Sequence, residues 1–319
     1  MNGRPGVSER TRTIVLGAAE QLGGVHLVRP RQLQAGLVGL IVPELDNPIF
    51  PALAHLIEAR LASAGYACVL GCATEEGVDE SEYLGMLGER GVVGIVMVSG
   101  RHANSDGDHT EYLDLIAAGM PMVFVNGYSA GVPAPFVSCD DRHAAALAVG
   151  HLASLGHRRI GFVSGPTNFV VVARKLEGYC GALAAAGIEV DDELIVIDTV
   201  FSIEGGRAAT GQLHERGATA VVAASDLMAL GTILGARELG LAVPAEWSAV
   251  GFDDTTLMAY TDPPLTTVRQ PVRRMSDHVT RLLLDQLNGA LVAHREFLFQ
   301  PELVVRASTA PVPVTVSAF

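Results

Sequence analysis

Lysine is nearly missing from this chain of 319 residues: Lys175 stands alone among 22 basic side chains, the other 21 being arginine. Cysteine is scarce as well. Cys68, Cys72, Cys139 and Cys180 are too few for a disulfide framework in a chain of this length. Cys68-x-x-x-Cys72 falls in an apolar run with no second pair, so it reads as buried structural thiols rather than a zinc site. Long apolar runs are also absent. Stretches such as 94–99 and 218–224 end far short of the roughly 20 residues that a membrane span needs. No basic segment followed by an apolar one opens the chain, so nothing marks it for export. The expectation is a soluble, cytoplasmic protein with no membrane partner. Charged residues make up only 18% and hydrophobic ones 49%, which excludes a disordered chain. At roughly 150 residues per domain the length suggests two cores.

The net charge of −13 is unevenly spread. Residues 1–36 hold Arg4, Arg10, Arg12, Arg29 and Arg31 against two glutamates, a net of +3, which leaves −16 for the rest. Such an end reads either as an ordinary solvated terminus or as an arm for a polyanion on a body that would repel one. Within it, Ser8 caps a helical pattern running to Leu22, with Thr11, Val15, Ala18 and Leu22 on one face and Gly23-Gly24 as its stop. A lone helix of this kind lacks a core and needs packing partners.

From Val38 onward, apolar strand-like runs alternate with amphipathic helical stretches. The strand candidates are 38–42, 67–72, 94–99, 122–126, 136–139, 159–164, 194–198, 219–224 and 249–252. Helical patterns cover 50–64, 80–91, 143–155, 172–186, 206–216, 226–239 and 272–287. Continuous apolar strands separated by helices mean parallel sheets covered on both faces, with ligands held at the carboxyl ends of the strands. About nine strands are too many for one compact unit. Two doubly wound α/β lobes with a cleft between them account for them.

Enzyme signatures are missing. No strand is followed by Gly-x-Gly-x-x-Gly, and neither a phosphate-binding Gly-x-x-x-x-Gly-Lys-Ser/Thr nor a Gly-x-Ser-x-Gly elbow occurs. His102, Asp106, Asp108 and His109 share one segment, but the glycine and glutamate positions of a calcium loop are wrong, so the segment reads as a solvated loop. The acidic pairs Asp140-Asp141 and Asp253-Asp254 follow strands, where they are placed either for acid–base work or for accepting hydrogen bonds from a ligand. No nucleophile–base constellation accompanies them. The reading is a non-enzyme without metal or cofactor.

Several stretches, taken in order, resemble the lactose/galactose-repressor (LacI/GalR) family of transcription regulators. They are Asn2-Gly3-Arg4-Pro5-Gly6-Val7-Ser8 with Thr11-Arg12, Gly39-Leu40-Ile41-Val42-Pro43 with Asn47-Pro48-Ile49-Phe50, and Leu155-Gly156-His157-Arg158-Arg159-Ile160. Asp226-x-Met228-Ala229-x-Gly231, Val250-Gly251-Phe252-Asp253-Asp254, Pro263-Pro264-Leu265-Thr266-Thr267-Val268 and Glu302-Leu303-Val304-Val305-Arg306 follow. The resemblance implies a periplasmic-binding-protein-like fold whose chain crosses between lobes near 140, 269 and 300. It divides the chain into a helix-turn-helix remnant and hinge, 1–37, and an effector-binding and dimerisation domain, 38–319. Lobe one then comprises about 38–139 plus 270–300, and lobe two about 140–269 plus 301–319. It also implies a homodimer bordered by the helices at 50–64 and 272–287, operator DNA as a partner, and a sugar or nucleoside-like effector.

Site residues follow from the same resemblance. Asn47 and Phe50 match the cleft loop after the first strand, Phe201 an aromatic that packs on the ligand, Ser225 a usual asparagine, and Asp253 an acceptor for ligand hydroxyls. The family's ligand-binding arginine falls on Lys175, which loses bidentate geometry, and Arg174 is the candidate substitute. Asp253 and Lys175 are expected to face each other across the cleft, and Asp226 to cap its helix. Arg29, Arg31 and Leu33 match the hinge, where a leucine wedges into the minor groove and Pro30 starts the hinge helix. The family's first two DNA-binding helices have no counterpart ahead of Asn2, so the expectation is a truncated reader with weak DNA contact. Its alternative is a stand-alone sugar-binding protein.

Overall fold

A computed structural model describes residues 36–312, apart from 75, 76 and 198. The helix expected over 8–22 and the hinge residues Arg29, Arg31 and Leu33 lie outside the described residues.

The chain begins by alternating β1 (Gly36–Val42), α1 (Ile49–Ser63), β2 (Tyr66–Cys72), α2 (Glu80–Glu89), β3 (Gly94–Val98), α3 (Thr110–Ala117), β4 (Met122–Val125) and β5 (Phe136–Cys139). A second series runs α4 (Asp141–Ser154), β6 (Ile160–Val163), α5 (Val170–Ala185), β7 (Ile195–Val196), α6 (Ile203–Glu215), β8 (Ala220–Ala223), α7 (Asp226–Glu238), β9 (Ser248–Asp253) and β10 (Thr266–Arg269). Then come α8 (Val272–Leu287), β11 (Glu296–Phe299) and β12 (Glu302–Val304). The strands form two six-stranded sheets, ordered β11-β5-β4-β3-β1-β2 and β12-β10-β9-β8-β6-β7. All pairings are parallel except β10 with β12. Every residue of β3, β4, β5, β6, β8 and β9 is buried, as strands covered by helices on both faces require. Two periplasmic-binding-protein-like lobes result. No helix among the described residues is long and apolar enough to cross a membrane.

The chain passes between the lobes three times: at Asp140, at Gln270-Pro271 and at Gln300-Pro301. The first and third passages are stitched together. Asp140 N–H donates to Phe299 O at 2.9 Å and Gln300 Nε2 donates to Asp140 Oδ2 at 3.0 Å, while Asp140 Oδ1 caps α4 through His143 N–H. A helix cap and the hinge thus share one carboxylate.

The structure alters several readings. The 102–109 segment departs from a solvated loop at one end only: Arg101–Ala103 is a 3₁₀ turn with the His102 ring completely buried, while Asp106 and Asp108 are exposed. Cys68 and Cys72 are half-buried on the edge strand β2 rather than in the core, and burial pushes the Cys68 thiol up to about 11. α3 and β10 to β12 escape the sequence pattern because they are short, and the edge strands β11 and β12 are only partly buried.

In the second lobe, α6 and α7 meet through glycine. A Cβ on Gly206 would strike Met228 O, and one on Gly231 would strike Ile203 O, both backbone atoms that have no side-chain freedom to yield. Gly231→Ala is therefore expected to lower stability by about 1–3 kcal/mol, the range for overpacking. Urea unfolding checks this, and an unchanged midpoint would refute the close-packing argument.

Candidate ligand-binding cleft

In a parallel sheet the loops at the carboxyl ends of the strands are free to hold ligands, and here two such edges face each other. Between them lies a cavity of about 210 Å³. The first lobe lines it with Glu44, Asn47 and Phe50 after β1, Ser99 after β3, Ala103, and Asn126 after β4. The second lobe supplies Asp141, Phe169, Lys175, Phe201, Ser225, Phe252 and Asp253, and Gln270 enters from the middle crossing. Four phenylalanines, a few polar groups and four charges make a predominantly apolar pocket with convergent hydrogen-bonding groups, the usual make-up of a small-molecule site.

Asp253 ends β9 and is 5% exposed. It accepts from Gln270 Nε2 at 2.6 Å and, across the lobes, from Asn47 Nδ2 at 3.4 Å. Its φ of 123° is a conformation that L-residues rarely adopt, and Asp254 follows at φ 56°. The two neighbouring carboxyls have different partners. Asp254 is gripped outside by Arg269 and Arg306, each at 2.6 Å, while Asp253 stays with the cavity. Burial, reinforced by the Asp226 charge, holds the Asp253 carboxyl well above the ordinary carboxylate range. Asp226 is pushed up to about 7 by burial, against hydrogen bonds from Thr267 Oγ1 at 2.5 Å and Thr255 N–H at 3.0 Å.

Lys175 does not pair with Asp253, although both line the cavity. Its ammonium donates to Asp141 Oδ1 at 2.7 Å and sits 4.0 Å from the centre of the Phe252 ring. Arg174 lies outside the cavity lining and is taken up by a bidentate pair with Glu296, at 2.6 and 2.9 Å, that joins α5 of one lobe to β11 of the other. A one-residue shift along α5 points it at the neighbouring lobe instead of the ligand space. Asp226 is not the cap of α7. Ser225 is, accepting from Met228 N–H at 3.2 Å, and it also lines the cavity.

Asn47, Phe50, Lys175, Phe201, Ser225 and Asp253 thus surround one cavity, and Arg174 does not. Sequence reasoning missed Gln270, Ser99, Asn126, Phe169 and Phe252 and gave Asp141 no specific role. Phe252 adjoins Asp253 within one motif, and the chain's single lysine was a signal for an acidic partner. Ser99 and Asn126 owe their placement to positive φ values of 48° and 64° at strand ends, which nothing in their local sequence announces.

His102 anchors one rim. Its Nε2 bonds the carbonyls of Val125 and Asn126 at 3.2 and 3.0 Å, its ring packs on Phe124, and burial lowers its pKa to about 4. The turn it holds brings Ser105 N–H to Asn168 O of the opposite lobe at 2.7 Å, beside a bridge between Asn104 and Phe169. Backbone and side-chain contacts thus join the lobes beside the cavity. Among the described residues no three His, Cys, Asp or Glu side chains gather as metal ligands.

A family model for periplasmic binding protein-like domains matches residues 149–309. The HTH-type transcriptional regulator MalR of Streptomyces coelicolor is 51% identical over 316 residues, 98% of this chain and 92% of that protein. Among solved structures, a LacI family transcriptional regulator from Enterococcus faecium with bound ribose superposes with a TM-score of 0.77 at 30% identity, covering 87% of this chain and 100% of that one. The complex of the transcriptional regulator CelR with cellobiose gives 0.77 at 31%, covering 96% and 93%.

A buried carboxyl with a raised pKa has a definite consequence. Folding favours its protonated form, so its contribution is fully present below the ordinary value of 3.8 and is lost as pH rises through about 7. Asp226→Asn resembles the protonated acid but does not titrate. The wild type is therefore expected to lose stability relative to the variant from pH 5 to pH 8. Parallel urea midpoints across that range check it, and a constant gap would show that Asp226 titrates normally.

Proposed function

The chain belongs to the LacI family of transcriptional regulators, and from that premise we propose that it is an effector-responsive regulator whose cleft takes a sugar. The observation that carries this reading is the cavity between the lobes, where Phe50, Phe169, Phe201 and Phe252 contribute apolar lining while Asp253, Asn47 and Gln270 form a hydrogen-bonded set at its edge. A sugar ring has apolar faces and a rim of hydroxyls, so this division of surface suits it. Asp253 accepts from a ligand hydroxyl, and the ligand spans residues of both lobes.

Regulation follows from linkage. A ligand that touches both lobes favours the closed arrangement by its differential affinity for it, and any DNA contact sensitive to lobe arrangement changes in proportion. We assign DNA contact at the hinge to Arg29, Arg31 and Leu33, through phosphates and the minor groove, which makes it salt-sensitive. The working form is a homodimer with isologous surfaces bordered by α1 and α8.

Two measurements test this reading. Calorimetry against neutral mono- and disaccharides is expected to find a ligand, and Asp253→Ala to weaken it by about 1–3 kcal/mol, the cost of leaving a buried ligand hydroxyl without its acceptor. Equal binding by the variant would remove Asp253 from the site. Sedimentation is expected to show a dimer at micromolar concentration, and a monomer there would count against the proposed assembly.

A further inference from the structure

We infer that Lys175 and Asp141 form a built-in, charge-neutral pair that makes the cleft selective for uncharged polyhydroxylated ligands over phosphorylated or carboxylated ones, with Asp141 setting the preference. This rests on the sugar reading above and narrows it.

Among the described residues Lys175 is the only cationic side chain lining the cavity, since Arg174 is spent on Glu296 outside it. An anionic ligand needs an available counter-charge in a lining this apolar, because burying an unpaired charge is costly. Lys175 is not available. Asp141 holds its ammonium at 2.7 Å, the two side chains are 9% and 3% exposed, and the Phe252 ring covers the ammonium from 4.0 Å. The remaining ionisable lining groups, Glu44 and Asp253, are both acidic with a raised affinity for protons, so they offer an anion no counter-charge. An ammonium carries three donors, so Lys175 keeps donors for neutral hydroxyl oxygens while its charge stays matched.

A second observation points the same way. Gln270 Oε1 is buried without a partner, while its Nε2 is engaged by Asp253. An orphaned acceptor beside a carboxylate calls for a ligand that brings hydrogen-bond donors. Hydroxyls bring them, whereas a phosphate dianion or a carboxylate brings only more acceptors at its charged end.

The experiment uses matched pairs: glucose with glucose 6-phosphate, ribose with ribose 5-phosphate, galactose with galacturonate, and inorganic phosphate alone, titrated by calorimetry into the full chain. The wild type is expected to bind the neutral member of any recognised pair at least about tenfold more tightly and to show no phosphate binding. Asp141→Asn, which frees the ammonium, is expected to shrink that ratio about tenfold and to gain phosphate binding. The double variant Asp141→Asn/Lys175→Gln is expected to gain none. Preference of the wild type for an anionic member overturns the inference, as does an Asp141→Asn protein with an unchanged ratio. If Asp141→Asn does not fold, the wild-type ratio and the double variant still decide. If no sugar binds, the sugar reading falls, and the phosphate titrations alone judge this pair: binding by the wild type refutes it, and a gain confined to Asp141→Asn upholds it.

Discussion

Charge buried where two sheet edges meet is the constraint on which the rest of the structure depends. The carboxyl ends of parallel strands are the natural place for ligand-binding groups, but closing one lobe over the other removes the water that would solvate them. Each buried charge therefore needs a fixed answer. Lys175 is matched by Asp141, Asp254 by two arginines, and Asp253 and Asp226 by hydrogen bonds together with a raised affinity for protons. Asp253 and Asp254 are held by different partners on different sides, which keeps adjacent carboxyls apart in a low dielectric.

Groups that solve the charge problem also connect the lobes. Asn47 reaches Asp253 from the other lobe, Arg174 reaches Glu296, and Gln270 stands in a crossing segment while bonding Asp253. Moving one lobe against the other therefore means remaking polar contacts in or beside the cavity. This is the physical link between occupancy of the cleft and the position of the lobes, and it needs no separate signalling path.

The architecture was legible because periodicity carries it: buried strands of four to seven residues separated by helices leave few alternatives to two parallel sheets. Asn47, Phe50, Phe201, Ser225 and Asp253 were legible through ordered motifs, which bring them around one cavity. What escaped depends on tertiary context. Whether Arg174 or Lys175 faces the cavity turns on the rotation of α5, and only the distant Glu296 accounts for the arginine's place. The cap of α7 falls on Ser225 rather than Asp226 because either type caps a helix, and burial of Asp226 with Thr255 and Thr267 is what separates them. His102 looked solvated among polar neighbours, yet two carbonyls and an aromatic cluster hold it in the core.

The rim contact carries a consequence for how such a cleft changes over generations. Ser105 N–H and Asn168 O, with the bridge between Asn104 and Phe169, close the rim through main-chain atoms alone. A latch made of backbone is indifferent to which side chains are attached to it, so long as the turns that present it survive. Asn104 holds its own turn, its Oδ1 accepting from Asp106 N–H at 2.9 Å, but Ser105 and Phe169 are open to substitution, and Phe169 already lines the cavity. Mutation at this edge can retune what the cleft accepts while the act of closing is inherited intact.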